Sequence, residues 1–548
     1  MIREELKSLF KKDTECFAHK VISSSLLRIF DEFILNRIDD TFNSEVLTVY
    51  KKFEPMKQQA PSSMKTVLFS TLTDYAKGEV SKEHYLEALV LYRFLFVKSI
   101  PDSLDYLAVA RILYKLGAED LCRRFLEIYS ETEENKLLSY IELADFYKGI
   151  NAYKNAIDCY EKFLEVDKTK VAIYTITADL YSKLSGSKSL ERQIELYEQA
   201  YELQPQNRLV LHGLAFAYEK AGQNDKAKMY YEKLLQNNPT ENDYYNYGGF
   251  LIHCGDFING HKYFTHRFNI DDINLKYPSD ANKKWDLKSN ISDKVLLVNY
   301  EQGFGDTIMY SRFVPFLKNI AKEVIFVVQK ELESLICGSD IFDNIRIITD
   351  INGVDYNVNM ALLDVPYVLK IGSDCIPYTS KYLDVSEFDV VKYADRFLNN
   401  SYSFKIGLSL NGDRSANYQE RDIEVLKIYN LLKDISNVKL YNLQKNSLAV
   451  DGVISLGESF DDFKYSACAV KNMDLVVSTD NVILNLAGAL GVDTIGLFNK
   501  ETNYRWFKTR GKNVGWYESV KPLQTNILNE WNGVFSELLK EVKEKSLS

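Results

Sequence analysis

The chain has 548 residues, 46% hydrophobic and 26% charged, which are the proportions of a soluble globular protein and too many residues for one ordinary core. A formal charge of −10 argues against nucleic acid or an anionic membrane as the main partner, although a local basic patch could still hold phosphates. No stretch approaches roughly 20 uninterrupted apolar residues, so no membrane span is expected, and the charged opening MIREELKSLFKKD lacks the apolar core of a signal peptide.

Residues 1–102 read as a helical region, with SKEHYLEALVLYRFLFVKS as its strongest helical stretch. From 103 to 275 the chain repeats with a period near 34: Ala110, Ala144 and Ala178 are so spaced, as are Tyr147 and Tyr181, Tyr197 and Tyr231, and Pro205 and Pro239. LVLHGLAFAYEKAGQNDKAKMYYEKLLQNNP (209–239) is the most regular unit. Small residues recur where two helices approach closely, and aromatics fill the space beside them. The spacing resembles the tetratricopeptide (TPR) repeat, a helix–turn–helix unit, with a three-residue insertion near 185–189 and a degenerate last unit. Stacked repeats leave a concave groove, which implies a protein or peptide partner; a homodimerisation element or spacer is the other use of such an array.

From 292 the texture alternates strand and helix. KVLLVNY, EVIFVVQ and NIRIITD read as strands, with a single helix over Thr307–Ala321 and another in KELESLICG. A second series runs FKIGLSLNG, DIEVLKIYNLLKDI, VKLYNLQ, DDFKYSACAVKNM, DLVVST, NVILNLAGALG and DTIGLFN. Such alternation predicts parallel sheets covered by helices, in two Rossmann-like domains at 290–398 and 403–520, with a C-terminal helix over 521–548.

Ligands of open α/β sheets bind beyond the C-terminal ends of strands, so the loops after strands carry the functional reading. In GFGD, Gly303 and Gly305 let backbone approach a ligand, and Asp306 stands where the next helix begins, either capping it or projecting as a base. The polar stretch 409–422 offers Ser409, Asn411, Arg414 and Arg421; either arginine could neutralise a diphosphate. In the stretch from Ser478 to Gly491, Thr479 and Asn481 can donate to a phosphate beside Asp480. Gln444 and Lys445, ending VKLYNLQK, are placed to meet a base, ribose or phosphate.

All six histidines precede residue 270 and the C-terminal half has none, so any acid–base chemistry there must use carboxylates, tyrosines or lysines. Seven scattered cysteines without a C-x-x-C pair read as reduced thiols of a cytoplasmic protein and supply no zinc site.

In order and spacing, Glu301-Gln302-Gly303-x-Gly305-Asp306-Thr307-Ile308, Arg312-Phe313-x-Pro315, Ile406-Gly407-Leu408 with Gly412, Leu443-Gln444, Asp462-Phe463, the run Asp474 to Asp480, Leu486 to Gly491, and Arg505-Trp506 resemble the heptosyltransferase-like glycosyltransferases of family 9, especially bacterial forms fused to TPR arrays. The resemblance spans about 292–510. It implies a helical solenoid followed by a GT-B pair of Rossmann-like α/β domains, the acceptor on the first and a nucleotide-sugar on the second. It also implies inverting transfer that needs neither metal nor cofactor, with Asp306 as the base. The donor-contacting set would comprise Gly303, Gly305, Ser409, Asn411, Arg421, Gln444, Lys445, Thr479, Asp480, Asn481 and Asn485. Members of this kind are associated with protein glycosylation, so the implied acceptor is Ser/Thr of a polypeptide such as flagellin, held by the repeats. The sequence departs from the family where Asn481 and Asn485 replace its usual Thr and His. Those replacements keep open an inactive scaffold that acts as a TPR adaptor or chaperone.

Overall fold

The computed structural model describes residues 2–15, 24–38, 42, 48, 73–74, 76–81, 83–98, 103–132, 134, 136–184, 186–270, 280–398, 404–412, 422–445, 449–500, 502–506, 515–526 and 530–547. They form two compact units, 1–184 with 191–204, and 185–190 with 205–548.

The first unit is helical. Helices α1 (Ile2–Glu15), α2 (Ser24–Arg37) and α3 (Tyr85–Lys98) precede the repeats. Every side chain from Ala88 to Phe96 of α3 is buried, as its all-round apolar sequence requires, and the one charged member of that run, Arg93, bonds Asp31 at 2.8 and 3.0 Å.

Three helical hairpins follow: α4 (Ser103–Lys115) with α5 (Glu119–Thr132), α6 (Lys136–Gly149) with α7 (Tyr153–Val166), and α8 (Val171–Tyr181) with α9 (Ser187–Leu203). Ala110, Ala144 and Ala178, the residues that set the period, are fully buried. The first two hairpin turns need a left-handed residue, supplied by Gly117 (φ 70°) and by Asn151 (φ 59°).

The second unit opens with two more hairpins, α10 (Arg208–Lys220) with α11 (Asn224–Leu235) and α12 (Glu241–His253) with α13 (Phe257–Phe264). Helices α8 and α10 start 37 residues apart, at 171 and 208, three more than the period, as the insertion near 185–189 requires. In the last hairpin a Cβ on Gly248 would lie 2.8 Å from the Phe264 nitrogen, so this crossing tolerates only glycine.

Two parallel sheets complete the unit. The first holds β1 (Ile291–Asn299), β2 (Ala321–Val327), β3 (Arg346–Ile348) and β4 (Val358–Ala361) in the order β3-β2-β1-β4. The second holds β5 (Phe404–Ser409), β6 (Val438–Asn442), β7 (Val453–Ser455), β8 (Leu475–Thr479), β9 (Thr494–Phe498) and β10 (Val520–Gln524) in the order β10-β9-β8-β5-β6-β7. Helices α14 (Phe304–Ser311), α15 (Glu333–Cys337), α16 (Val365–Val368), α17 (Glu387–Phe397), α18 (Val425–Leu432), α19 (Phe463–Lys471), α20 (Val482–Ala489) and α21 (Asn532–Leu547) surround them. One face of the second sheet packs Leu408, Leu475, Val477 and Ile495 against α18 and α21. A larger core joins Phe257 and Phe264 of α13, Leu296 and Val298 of β1, and Leu484 and Leu486 of α20, so the last hairpin and both sheets share apolar contacts.

Two local expectations change. The single helix over Thr307–Ala321 is instead α14 followed by a 3-10 turn, Val314–Asn319, because Pro315 cannot continue the helix and Ala321 already begins β2. The stretch 521–548 is not all helix: β10 occupies its start and α21 begins at Asn532. Strand β10 contains Pro522, which a sheet accepts here because β10 is an edge strand.

Candidate functional site

In each sheet the strand order reverses once, between β1 and β4 and between β5 and β8, and the loops leaving those strands diverge around a crevice. The GFGD loop follows β1. The stretch opening with Ser409 and Asn411 follows β5, and Thr479-Asp480-Asn481 follows β8. All three loops singled out in the sequence are therefore switch-point loops.

The first crevice is filled from the last hairpin. Arg267, just beyond α13, is fully buried and donates to Glu301 from Nε at 2.8 Å and from Nη2 at 2.5 Å. Its Nη1 meets Asp364 at 2.5 Å, and Glu301 also accepts the Leu363 N–H at 3.0 Å. Glu301 follows β1 and Asp364 follows β4, so one guanidinium ties the two loops together. Burial pushes Glu301 above the usual carboxylate range even though Arg267 opposes it. Burial also works against the charge of Arg267, but Asp364 and Glu301 hold it firmly protonated.

The second crevice is bridged by its own amides. Asn481 caps α20, accepting from Ile483 N at 2.9 Å, while its Nδ2 donates to the Ser409 carbonyl at 2.9 Å. Ser478 and Ser409 hydroxyls donate to the same Asn481 oxygen at 3.1 and 3.2 Å. Gln444 accepts from Leu410 N at 3.0 Å and donates to the Asn411 carbonyl at 2.9 Å, and Lys445 donates to the Phe460 carbonyl at 3.0 Å. These groups, read from sequence as ligand donors, bond within the protein here. Thr479 is buried at the end of β8. Arg421, with Arg414, lies outside the described residues.

Between the crevices the first turns of α14 and α20 meet. A Cβ on Gly305 would stand 3.1 Å from Asn485 Nδ2 and 3.7 Å from Val482 Cα, so Gly305 permits the approach. Asn485 in turn donates to the Asn481 carbonyl at 3.2 Å and accepts from the Tyr517 hydroxyl at 2.9 Å. Gly303 is the N-cap of α14 and Asp306 its third residue, with the Asp306 carboxylate accepting the Gly303 N–H at 3.2 Å. Asp306 therefore does take part in capping, but its other oxygen lies 2.6 Å from Arg505 Nε. Arg505 Nη2 donates to Gln302 at 2.5 Å, and Gln302 holds a left-handed φ of 61°. Burial raises the Asp306 pKa, with Arg505 and the Gly303 N–H opposing and the charge of Asp480 assisting.

Arg505, Glu301 and Arg267 were not among the site residues expected. Arg505 and Glu301 stood in the motifs quoted for the resemblance without a role, whereas Arg267 in THRFN carries no sequence signal distinguishing it from a surface arginine. The histidine distribution also misled in one respect. His261 of α13 packs edge-on against Tyr310 of α14, with centroids 5.7 Å apart, so a histidine from the repeats does reach the α/β half. Burial lowers its pKa to about 3, with Arg267 contributing.

Among the described residues no group of three or more His, Cys, Asp or Glu side chains is placed to hold a metal ion, and no helix is long and apolar enough to cross a membrane.

The tetratricopeptide repeat family matches residues 137–170 and 210–241, which are the α6–α7 and α10–α11 hairpins. By that match the α6–α7 and α10–α11 hairpins are TPR repeats and the hairpins beside them are TPR-like, an architecture that supports protein–protein interaction. The chain is 27% identical over 101 residues to TPR repeat protein oca3 of Schizosaccharomyces pombe, a match covering 18% of this chain and 36% of that protein. It thus spans about a third of the length of that curated relative. Among solved structures, a MamA protein aligns with 21% identity over 32% of this chain and 96% of its own, at a TM-score of 0.28. The C-terminal part of a TPR repeat-containing protein from Cytophaga hutchinsonii aligns with 16% identity over 45% of this chain and 96% of its own, at a TM-score of 0.34.

Proposed function

We propose that the chain is a glycosyltransferase of GT-B arrangement, moving a sugar from a nucleotide-sugar to a Ser or Thr hydroxyl of a polypeptide recruited by the repeats, with flagellin as a candidate acceptor. The observation that carries this reading is the meeting of α14 and α20, each following a switch-point strand, with the carboxylate of Asp306 at the junction. In the proposed reaction the acceptor oxygen bonds to the anomeric carbon as the bond from that carbon to the diphosphate breaks. The hydroxyl proton passes to Asp306 and the diphosphate leaves with the electron pair. Helix N-termini and Arg505 offer positive potential to the departing group without a metal.

The test is a thermal-shift panel of UDP-, ADP-, GDP- and CMP-sugars without added metal, followed by transfer assays. A ligand at about 100 times its Kd stabilises by roughly 2.7 kcal/mol, which such a panel detects. Asp306→Asn should abolish transfer while leaving the fold intact; near-normal turnover would remove Asp306 from the mechanism. A second reading, a TPR adaptor with an inactive α/β half, is favoured by the internal bonding of Asn481, Gln444 and Lys445. It predicts partner binding with no response to any nucleotide-sugar.

A further inference from the structure

We propose that Arg505 is the residue that receives the diphosphate-type anion, and that it gives up Asp306 in doing so, the two anions competing for one guanidinium. The identity of the anion rests on the function proposed above; the competition rests on the geometry.

Two arginine arrangements in the same unit show the difference between a fixed pair and an exchangeable one. Arg267 is 0% exposed and held between two carboxylates. Arg505 and Asp306 keep 18% and 12% of their side-chain exposure, so solvent reaches both. Although Arg505 Nε lies 2.6 Å from Asp306, its N–H is not aligned with any acceptor among the described residues, so the contact is one of charge without a formed hydrogen bond. Two hydroxyls also have no partner among the described residues: Tyr310 Oη, on a fully buried side chain of α14, and Tyr504 Oη, next to Arg505 in sequence. The charges of Arg505 and Asp306 act on both tyrosines. A ligand rich in acceptor oxygens would offer the Arg505 guanidinium the aligned acceptors that Asp306 does not, and would lie towards the positive end of α14. Release from Arg505 would at the same time leave Asp306 free to accept a proton.

The experiment measures inorganic pyrophosphate and UDP binding by calorimetry to the full chain and to Asp306→Asn, Arg505→Gln, Arg505→Lys and the Asp306→Asn/Arg505→Gln double variant, with tryptophan fluorescence confirming that each is folded. Asp306→Asn should tighten binding by about tenfold, the factor equivalent to 1.4 kcal/mol, because Arg505 loses its competitor. Arg505→Gln should weaken binding by at least as much, Arg505→Lys should recover part of it, and the double variant should show no gain over Arg505→Gln. A gain from Asp306→Asn that persists without Arg505 would be a general field effect and would overturn the proposal, as would unchanged affinity in Arg505→Gln or no binding by any variant. Nucleotide-sugar turnover without dependence on Arg505 would leave the glycosyltransferase reading standing and this proposal refuted. Pyrophosphate competition without sugar transfer would do the reverse.

Discussion

Replacing Arg267 by Met would strand two buried carboxylates in the second unit. It removes the only cation bonded to Glu301 and Asp364 among the described contacts, and both carboxylates are buried, at 5% and 3% exposure. Breaking a buried ion pair from one side costs about 3–5 kcal/mol, because a charge is left without compensation. The assay is urea denaturation followed by tryptophan fluorescence: Trp285, Trp506, Trp516 and Trp531 all lie in the second unit, so the signal reports on that unit. The pH dependence gives the decisive sign. Burial raises the folded-state pKa of Glu301 and Arg267 opposes that rise, so without Arg267 the variant regains stability relative to wild type as the pH falls towards about 4 and loses it as the pH rises. The triple variant Arg267→Met/Glu301→Gln/Asp364→Leu removes all three charges while keeping an acceptor for the Leu363 N–H, and should end within about 2 kcal/mol of wild type. A loss below about 1 kcal/mol for Arg267→Met, or a penalty that deepens in acid, would refute the argument.

Two buried titrating groups give opposite pH slopes. His261 has its pKa pushed down to about 3 by burial, so the unfolded chain binds the proton first and stability falls by about 1.4 kcal/mol per pH unit below about 6.5; His261→Phe should remove that slope in pH-dependent denaturation. Glu219 is pushed up to about 7 by burial despite accepting from Tyr231 at 2.9 Å, so its contribution is lost as pH rises from about 4.5 to 7, and Glu219→Gln should flatten that limb. Gly488→Ala places a Cβ 2.4 Å from the Tyr517 ring and should destabilise by about 1–3 kcal/mol, whereas Gly533→Ala in α21 meets nothing within 4 Å and should stabilise by up to about 1 kcal/mol; thermal denaturation of both variants tests the contrast. A fragment of residues 205–548 should unfold cooperatively, while one of residues 276–548, stripped of Arg267, Phe257 and Phe264, should not, as tryptophan fluorescence during urea titration would show.

The repeats were legible because their period is carried by small residues that must recur wherever two helices cross: Ala110, Ala144 and Ala178 could not be enlarged without separating the hairpins. The long strands were legible because buried parallel strands are continuous apolar runs, as in DLVVST. Two of the short ones were not. Strand β4 is four residues, VNMA, and β7 only three, VIS, lengths at which an apolar run has no period to read. The switch-point loops were found because each follows a readable strand, yet what their side chains do was not in the sequence. Asn481 and Gln444 have the chemistry of ligand donors, and only their positions across the β5–β8 crevice show that they bond backbone there.

Arg267 and Arg505 make the same point for charge. Each is a lone arginine flanked by aromatics, in HRFN and YRWF, and nothing in either string ranks one above the other. What separates them is the number of carboxylates each meets and how much water reaches the pair. Two buried carboxylates and no exposure make Arg267 a fixed part of the first crevice, one that a ligand could displace only at the cost of stranding both charges. One carboxylate, an unaligned Nε–H and partial exposure leave Arg505 able to change partner. With the first crevice closed by Arg267 in this way, the proposed anion would be met on the side that Arg505 faces, and the segment just beyond α13 that carries Arg267 would wall that site together with the sheets.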